Sequence, residues 1–163
     1  PTQDNVFVYI FMVDSHNNVA RLFPTDDFKG AAKLNKNPVK KGVEYFVPAA
    51  FRSFKLDDNI GEESLYLIAI RQPDDVLESQ YKEMLLAQQA KDFEKITFTQ
   101  TQLFVEIEMK AKKERLISPE LVEDVPQNAP VTFEEQGEAF SVLPQYLKNM
   151  CEGCVYQVTF QHR

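Results

Sequence analysis

An uninterrupted apolar run of eight residues constrains the fold more than any other feature of this sequence. Residues 6–13 read VFVYIFMV and are rich in β-branched and aromatic side chains. Because successive side chains of a strand point to opposite faces, such a run predicts a central strand that is covered on both sides. The polar residues 14–18 and the apolar residues 19–23 then predict an antiparallel hairpin that ends at Pro24.

Four later segments also have strand-like sequences. Each is short, rich in β-branched or aromatic residues and bounded by turn-forming residues, and the strand at 64–70 is predicted to be buried on both faces. The final strand is predicted to place Tyr156, Val158 and Phe160 on one face. Polar residues dominate 25–41, which are predicted to form a long surface loop. In chain order, the predicted strands are 43–47, 51–56, 64–70 and 155–160.

After Pro73 the apolar spacing changes to that of a helix. Leu77, Tyr81 and Met84 fall on one helical face, and Asp75 begins the segment with acidic Glu78 three residues later. The spacing predicts a helix over about 75–95. Since a sheet in a small domain must be covered, we expect the apolar side of this helix to face the core.

Residues 97–113 carry two conflicting patterns. Their apolar residues alternate with other residues as in a strand, whereas glutamates four residues before lysines favour a helix. The alternating positions are Leu103, Val105, Ile107 and Met109, and the charge pairs are Glu106–Lys110 and Glu108–Lys112. We predict a strand because the alternation extends over four apolar positions, and the helix remains the alternative.

The remaining elements complete an α+β, mainly β, prediction for one domain of 163 residues. Short helices are predicted to begin at 118–120 and to cover 143–150. The predicted architecture is an antiparallel β-sandwich or half-barrel with one long amphipathic helix packed on it and short C-terminal helices. Residues 6–73 would form a β module, and residues 74–163 a helix-plus-strand extension.

Composition excludes two classes of function. The chain has 25 acidic and 18 basic residues and a net charge of −7, which argues against binding to nucleic-acid phosphates. Its longest apolar run is far shorter than the roughly 20 residues of a membrane-spanning helix. The sequence starts with proline and without a leader-like segment, so we expect any signal peptide or lipid anchor to have been removed or never to have been present.

Three segments together resemble one bacterial family, domain of unknown function 4384. They are Leu22-Phe23-Pro24, the glycine-led GVEYFVP at 42–48, and GEESLYLIA at 61–69. The resemblance covers about residues 6–73. It implies a periplasmic or extracellular setting, because similar domains occur in exported or lipid-anchored proteins. It also implies an accessory role beside proteases or kinases, and it provides no catalytic residues to transfer.

Cys151 and Cys154 form the only motif with inherent chemistry. Two cysteines separated by two residues can form a disulfide in an exported protein, remain as unreactive thiols, or serve in metal or redox chemistry. His162 completes an alternative metal set with the two cysteines, whereas His16 lies in the predicted hairpin turn. Val155 follows the pair where a haem-attachment motif needs histidine, and a strand follows where a thioredoxin-like motif needs a helix.

These features predict a non-enzymatic accessory or binding domain of an exported bacterial protein. The expected partner is a protein or a cell-envelope component, and no cofactor or catalytic residue is predicted. Recognition is expected to use the loop at 25–41 or the C-terminal half, because loops on a rigid scaffold commonly carry binding sites. The alternative is a metal- or redox-active domain that uses Cys151 and Cys154.

Overall fold

The chain divides into two compact units in a computed structural model. One unit comprises Pro1–Ile117 and Cys151–Arg163, and the other comprises Ser118–Met150. The structure describes residues 6–25, 35–40, 42–47, 60–113, 115–116, 131–135, 138–142 and 154–162. In chain order, the elements are β1 (Phe7–Val13), β2 (Val19–Phe23), β3 (Gly61–Ile70), α1 (Asp75–Ala90), α2 (Phe93–Lys113), β4 (Arg115–Leu116), β5 (Val131–Glu135), β6 (Glu138–Val142) and β7 (Cys154–His162).

The first unit is built on a five-stranded sheet in the order β2-β1-β3-β7-β4. The first four strands are antiparallel to their neighbours, and β4 runs parallel to β7. The α+β prediction is therefore confirmed, with two helices beside a four-stranded antiparallel sheet. In the second unit, β5 and β6 form an antiparallel hairpin.

The predicted central strand and hairpin are confirmed. β1 lies between β2 and β3, and its Tyr9 and Phe11 are each only 1% exposed. In the turn, the Asp14 carboxylate accepts hydrogen bonds from the backbone N–H groups of His16 and Asn18. Asn17 has a φ of 63°, a left-handed conformation that asparagine tolerates better than most residues.

The strands predicted at 64–70 and 155–160 are confirmed as β3 and β7. Gly61–Ala69 of β3 pair with Cys154–His162 of β7, with Ile68 opposite Val155 and Leu67 opposite Tyr156. These four residues are buried, so both faces of the sheet are covered where they lie. Farther along β7, Val158 is 41% exposed, although it shares the predicted face with Tyr156.

The prediction of a strand at 97–113 is wrong, because these residues belong to α2. Thr99, Leu103, Ile107 and Ala111 recur every four residues and are all buried. The two charge pairs that favoured a helix are formed: Lys110 lies 3.1 Å from Glu106, and Lys112 lies 3.5 Å from Glu108. The strand-like alternation arises because the buried Leu103 and Ile107 alternate in sequence with the exposed Val105 and Met109, which lie on the other side of the helix.

The single helix predicted over 75–95 is also wrong in its extent. α1 ends at Ala90, and Lys91 adopts a left-handed conformation with φ 54° and ψ 34°. The backbone N–H groups of Lys91 and Asp92 bond back to the carbonyls of Gln88 and Ala87, which ends the helix. Asp92 then accepts a hydrogen bond from the N–H of Lys95 and begins α2.

Residues 43–47 are not a strand, contrary to the prediction. The hydrogen bonds of this segment are made locally instead, since the Phe46 carbonyl accepts from the Asn35 amide and the Tyr45 hydroxyl accepts from the N–H of Lys40. The Tyr45 ring packs edge-to-face on Phe23, with ring centroids 5.9 Å apart. The segment is therefore held to the sheet by side chains rather than by a strand ladder.

The other predicted elements lie outside the residues that the structure describes. These are the strand at 51–56 and the short helices at 118–120 and 143–150. The second layer of a sandwich or half-barrel stays a prediction. The described core lies between one face of the sheet and the two helices, and its least exposed members include Tyr9, Phe11, Ile68, Leu77, Leu103, Ile107 and Val155.

Candidate protein-binding surface

The inner side of α2 is fixed against the core by apolar burial. Leu103 and Ile107 are fully buried, and both belong to the same core cluster as Leu77 of α1 and Val155 of β7. Since residues four apart lie on the same side of a helix, this stripe determines which side of α2 faces away from the core.

A buried tyrosine also ties α2 to the sheet. The Tyr66 hydroxyl of β3 donates to the Glu108 carboxylate at 2.5 Å and accepts from the Gln157 amide at 3.2 Å. Burial and this hydrogen bond raise the pKa of Tyr66 above its ordinary value. Such a contact to a charged acceptor is stronger than a neutral hydrogen bond and restrains the rotation of the helix.

An ion-pair cluster joins the end of α2 to the start of α1. Lys110 Nζ lies 2.5 Å from Asp74 Oδ2 and 3.1 Å from Glu106 Oε1. The other oxygen of Asp74 accepts from the N–H of Leu77 and caps α1. Burial lowers the pKa of Lys110, but the hydrogen bonds to Asp74 and Glu106 outweigh it, so the pKa is raised. The cluster holds the helices in an antiparallel pair.

A row of exposed apolar side chains runs along the opposite side of α2. Phe98 is 63% exposed, Val105 44% and Met109 42%, and residues 96–105 include no charged residue. Single exposed apolar residues are ordinary on protein surfaces, whereas an aligned row makes this side of α2 the candidate for an interaction surface. The outer face of α2 consists of Glu94, Phe98, Thr101, Val105, Met109 and Lys112, which recur at the three- and four-residue spacing of one helix side.

A nearly flat surface patch overlaps the outer face at the start of α2. It consists of Phe93, Glu94, Thr97, Phe98 and Thr101. Phe93 is 77% exposed. The two exposed phenylalanines and the uncharged threonines extend the apolar part of the outer face toward the start of α2.

The cysteine and histidine candidates are not brought together by the described backbone. Cys154 is the first residue of β7 and His162 the last, opposite Ala69 and Gly61 respectively. An extended strand rises about 3.3 Å per residue, so these two residues lie roughly 26 Å apart, too far to share one metal ion. Cys151 lies outside the described residues, and its pairing with Cys154 in a disulfide stays a prediction.

His16 lies in the exposed hairpin turn, where its Nδ1 is 3.3 Å from the Ser15 hydroxyl. Among the residues described, no three His, Cys, Asp or Glu side chains are grouped as metal ligands. The helices in that part of the chain include none that is long and apolar enough to cross a bilayer.

Both described ends of the predicted 25–41 loop are anchored to the sheet unit. The Asn37 side chain accepts from the N–H of Val8 and donates to its carbonyl, and Val39 forms an isolated bridge with Val6. Thr25 donates its N–H to the Asn35 carbonyl. Residues 26–34 lie outside the description, so the predicted role of this loop in recognition stays a prediction.

Sequence reasoning missed the outer face of α2 because it assigned these residues to a strand. As a strand, Val105 and Met109 share a face with Leu103 and Ile107, whereas in a helix they separate from them. The uncharged stretch at 96–105 is the signal that could have identified this face.

Alkaline pH is expected to weaken the contact between the sheet and α1. Burial raises the pKa of Tyr9, whose hydroxyl accepts from the N–H of Asp74, from 10.0 to about 12. The unfolded chain loses this proton first, so Tyr9 alone should lower the free energy of unfolding by about 1 kcal/mol between pH 9 and pH 11, and Tyr66, whose pKa is also raised, should add a further loss. Urea unfolding at both pH values measures this loss. Tyr9→Phe should be less stable than the original chain at pH 9, but its free energy of unfolding should fall by about 1 kcal/mol less between pH 9 and pH 11. An equal fall in both proteins would show that the Tyr9 proton is not its cause.

Comparison with protein families gives a match over the first part of the chain. Residues 1–73 match the family model described as Domain of unknown function (DUF4384), which confirms the resemblance to that family. The matched segment contains β1, β2 and β3, whereas the helices and β7 lie beyond it. No curated protein and no solved structure gave a significant match to this chain.

Proposed function

We propose that this chain is a non-enzymatic protein-binding domain whose outer α2 face docks on a partner. The observation that carries the proposal is the aligned exposure of Phe98, Val105 and Met109 on a helix whose other side is fully packed. Apolar surface gains roughly 25 cal/mol for each Å² removed from water, so covering this row favours association. Aromatic residues near the centre of such a patch commonly contribute most of the binding energy.

The rigidity of α2 supports a recognition role. The Glu108–Tyr66 and Lys110–Asp74 contacts hold the helix in one orientation before any partner arrives. A preformed helix loses little conformational freedom on binding, which improves affinity for a given contact area. A partner groove would then receive residues at helical spacing, as in other helix-in-groove complexes.

The cellular setting is a further part of the proposal. The resemblance of residues 1–73 to the family implies an accessory domain of an exported bacterial protein, in the periplasm or outside the cell and in some cases lipid-anchored. The partner in that setting is a protein or another envelope component, and a protein suits the apolar outer face best. Turnover by the purified chain on any substrate would contradict the non-enzymatic part.

Site-specific photo-crosslinking in the native bacterium tests the proposed surface. A photoreactive phenylalanine analogue at Thr101 would lie within the outer face, and the same group at Ala20 provides the control. Ala20 is exposed and pairs with Met12, and since Val13 and Val19 face the helices, Ala20 points to the opposite side of the sheet. We expect a discrete crosslinked protein product from position 101 only. No product from position 101, or the same product from both, would contradict the proposal.

A further inference from the structure

We infer that the partner of the outer face is the same face of a second copy, with the two α2 helices packed antiparallel. This inference rests on the proposed function and names the partner. It is carried by the order of side chains along the outer face: an acid, an apolar centre and a base. Such an order is complementary to itself only when one helix is reversed.

The charges at the two ends support the antiparallel arrangement. Glu94 is exposed near the start of α2. Near its end, the Lys112 side chain pairs with Glu108 at 3.5 Å but stays 77% exposed, so it can also meet a second carboxylate. When the helices cross near residue 103, each Glu94 lies opposite Lys112 of the second copy. A parallel arrangement would instead place glutamate beside glutamate and lysine beside lysine, which is unfavourable.

The centre of the outer face fits the same arrangement. Thr101 of one copy lies opposite Val105 of the other, and a small threonine lets two helices approach closely. Phe98 lies near Met109 of the second copy, a pairing in which the thioether contacts an aromatic ring favourably. Because residues 96–105 include no charged residue, the contact desolvates no charge at its centre.

The dimensions indicate a reversible dimer. From Glu94 to Lys112 the outer face extends 18 residues, about 27 Å along the helix axis. One helix from each copy gives an interface at the small end of specific complexes, so we expect a dissociation constant on the order of 10 to 100 µM. The copies would therefore separate on dilution.

Sedimentation equilibrium of the 18.8 kDa chain over a range of concentrations tests the inference. We expect a weight-average mass of about 1.6 to 1.9 times this value at about 200 µM, because this concentration is about 2 to 20 times the expected dissociation constant. Phe98→Glu should abolish the dimer, because it buries a charge in each half of the interface. Ala20→Glu, a charge added on the opposite sheet face, should leave the dimer unchanged.

A charge exchange tests the antiparallel orientation. Glu94→Lys places like charges at both ends of the interface and should weaken dimerisation about tenfold, as expected for two pairs changed from attraction to repulsion. Glu94→Lys combined with Lys112→Glu restores both pairs and should return the dissociation constant to within about threefold of the original. Thermal unfolding must show that each variant stays folded at the temperature used.

The outcomes separate this inference from the proposed function. A monomer at about 200 µM, or a dimer that Phe98→Glu does not affect, would overturn the self-association. A dimer that does not respond to the charge exchange would overturn the orientation. If the chain is monomeric and position 101 crosslinks to a different protein, the self-association is wrong while the proposed function stands. If the chain is monomeric and position 101 gives no crosslink, both are wrong.

Discussion

Replacing Leu103 with alanine is expected to lower the free energy of unfolding by about 3 kcal/mol. Leu103 is fully buried and lies in the core cluster shared by the sheet and both helices. The substitution removes apolar contacts and leaves a cavity that the surrounding strands can only partly fill. Urea unfolding measures the loss, and the melting temperature should fall by roughly 6 to 12 °C in a chain of this size.

Phe98→Ala on the same helix is the matched control. Phe98 is larger than leucine but 63% exposed, so its removal should change the free energy of unfolding by less than about 0.5 kcal/mol in the monomer. If Leu103→Ala were as mild as Phe98→Ala, the inner and outer sides of α2 would be wrongly assigned. The pair therefore tests the helix orientation on which the binding proposal depends.

Replacing Asp74 with alanine is expected to destabilise the fold by about 2 to 3 kcal/mol, because two contacts are lost together. One carboxylate oxygen caps α1 through the N–H of Leu77, and the other pairs with Lys110. The Asp74 side chain is only 10% exposed, so Lys110 would keep Glu106 as a partner but lose the nearer one. Chemical denaturation of the purified variant measures the effect.

Asp74→Asn separates the two contributions. Asparagine is also a good helix cap, so this variant should retain most of the capping energy and lose mainly the ion pair, a loss of about 1 kcal/mol. In a Lys110→Met background, the additional effect of Asp74→Asn should be small, because the ion pair is already absent. Equal losses for alanine and asparagine would mean that the cap contributes nothing.

The sequence predicted the sheet better than the helices, and the reason lies in the length of each signal. Residues 6–13 and 64–70 are short runs that are apolar on both alternating faces. Such runs predict strands that are covered on both sides. No comparable pattern in the sequence predicts that the first helix ends at Ala90 and that a second helix follows. No glycine or proline stands between α1 and α2, and the chain turns there because tertiary packing of the two helices outweighs local helix propensity.

The proposed binding surface was partly predictable. The sequence predicts recognition by the loop at 25–41 or by the C-terminal half, but placing it on α2 requires assigning residues 97–113 to a helix. Alternation of Leu103, Val105, Ile107 and Met109 is compatible with both structures, and burial decides between them. The prediction of a strand at 43–47 was wrong for another reason. A strand-like composition does not show whether a neighbouring strand has a free edge to pair with.

The place of β7 in the sheet has a consequence for biosynthesis. β7 comes last among the described elements in sequence order, yet it fills an interior position between β3 and β4. During translation, one edge of β3 therefore stays unpaired until β7 has left the ribosome. This apolar edge could meanwhile pair with other chains. Contacts between such distant segments form slowly, so the pairing of β3 with β7 rather than hairpin formation is expected to limit the completion of the sheet.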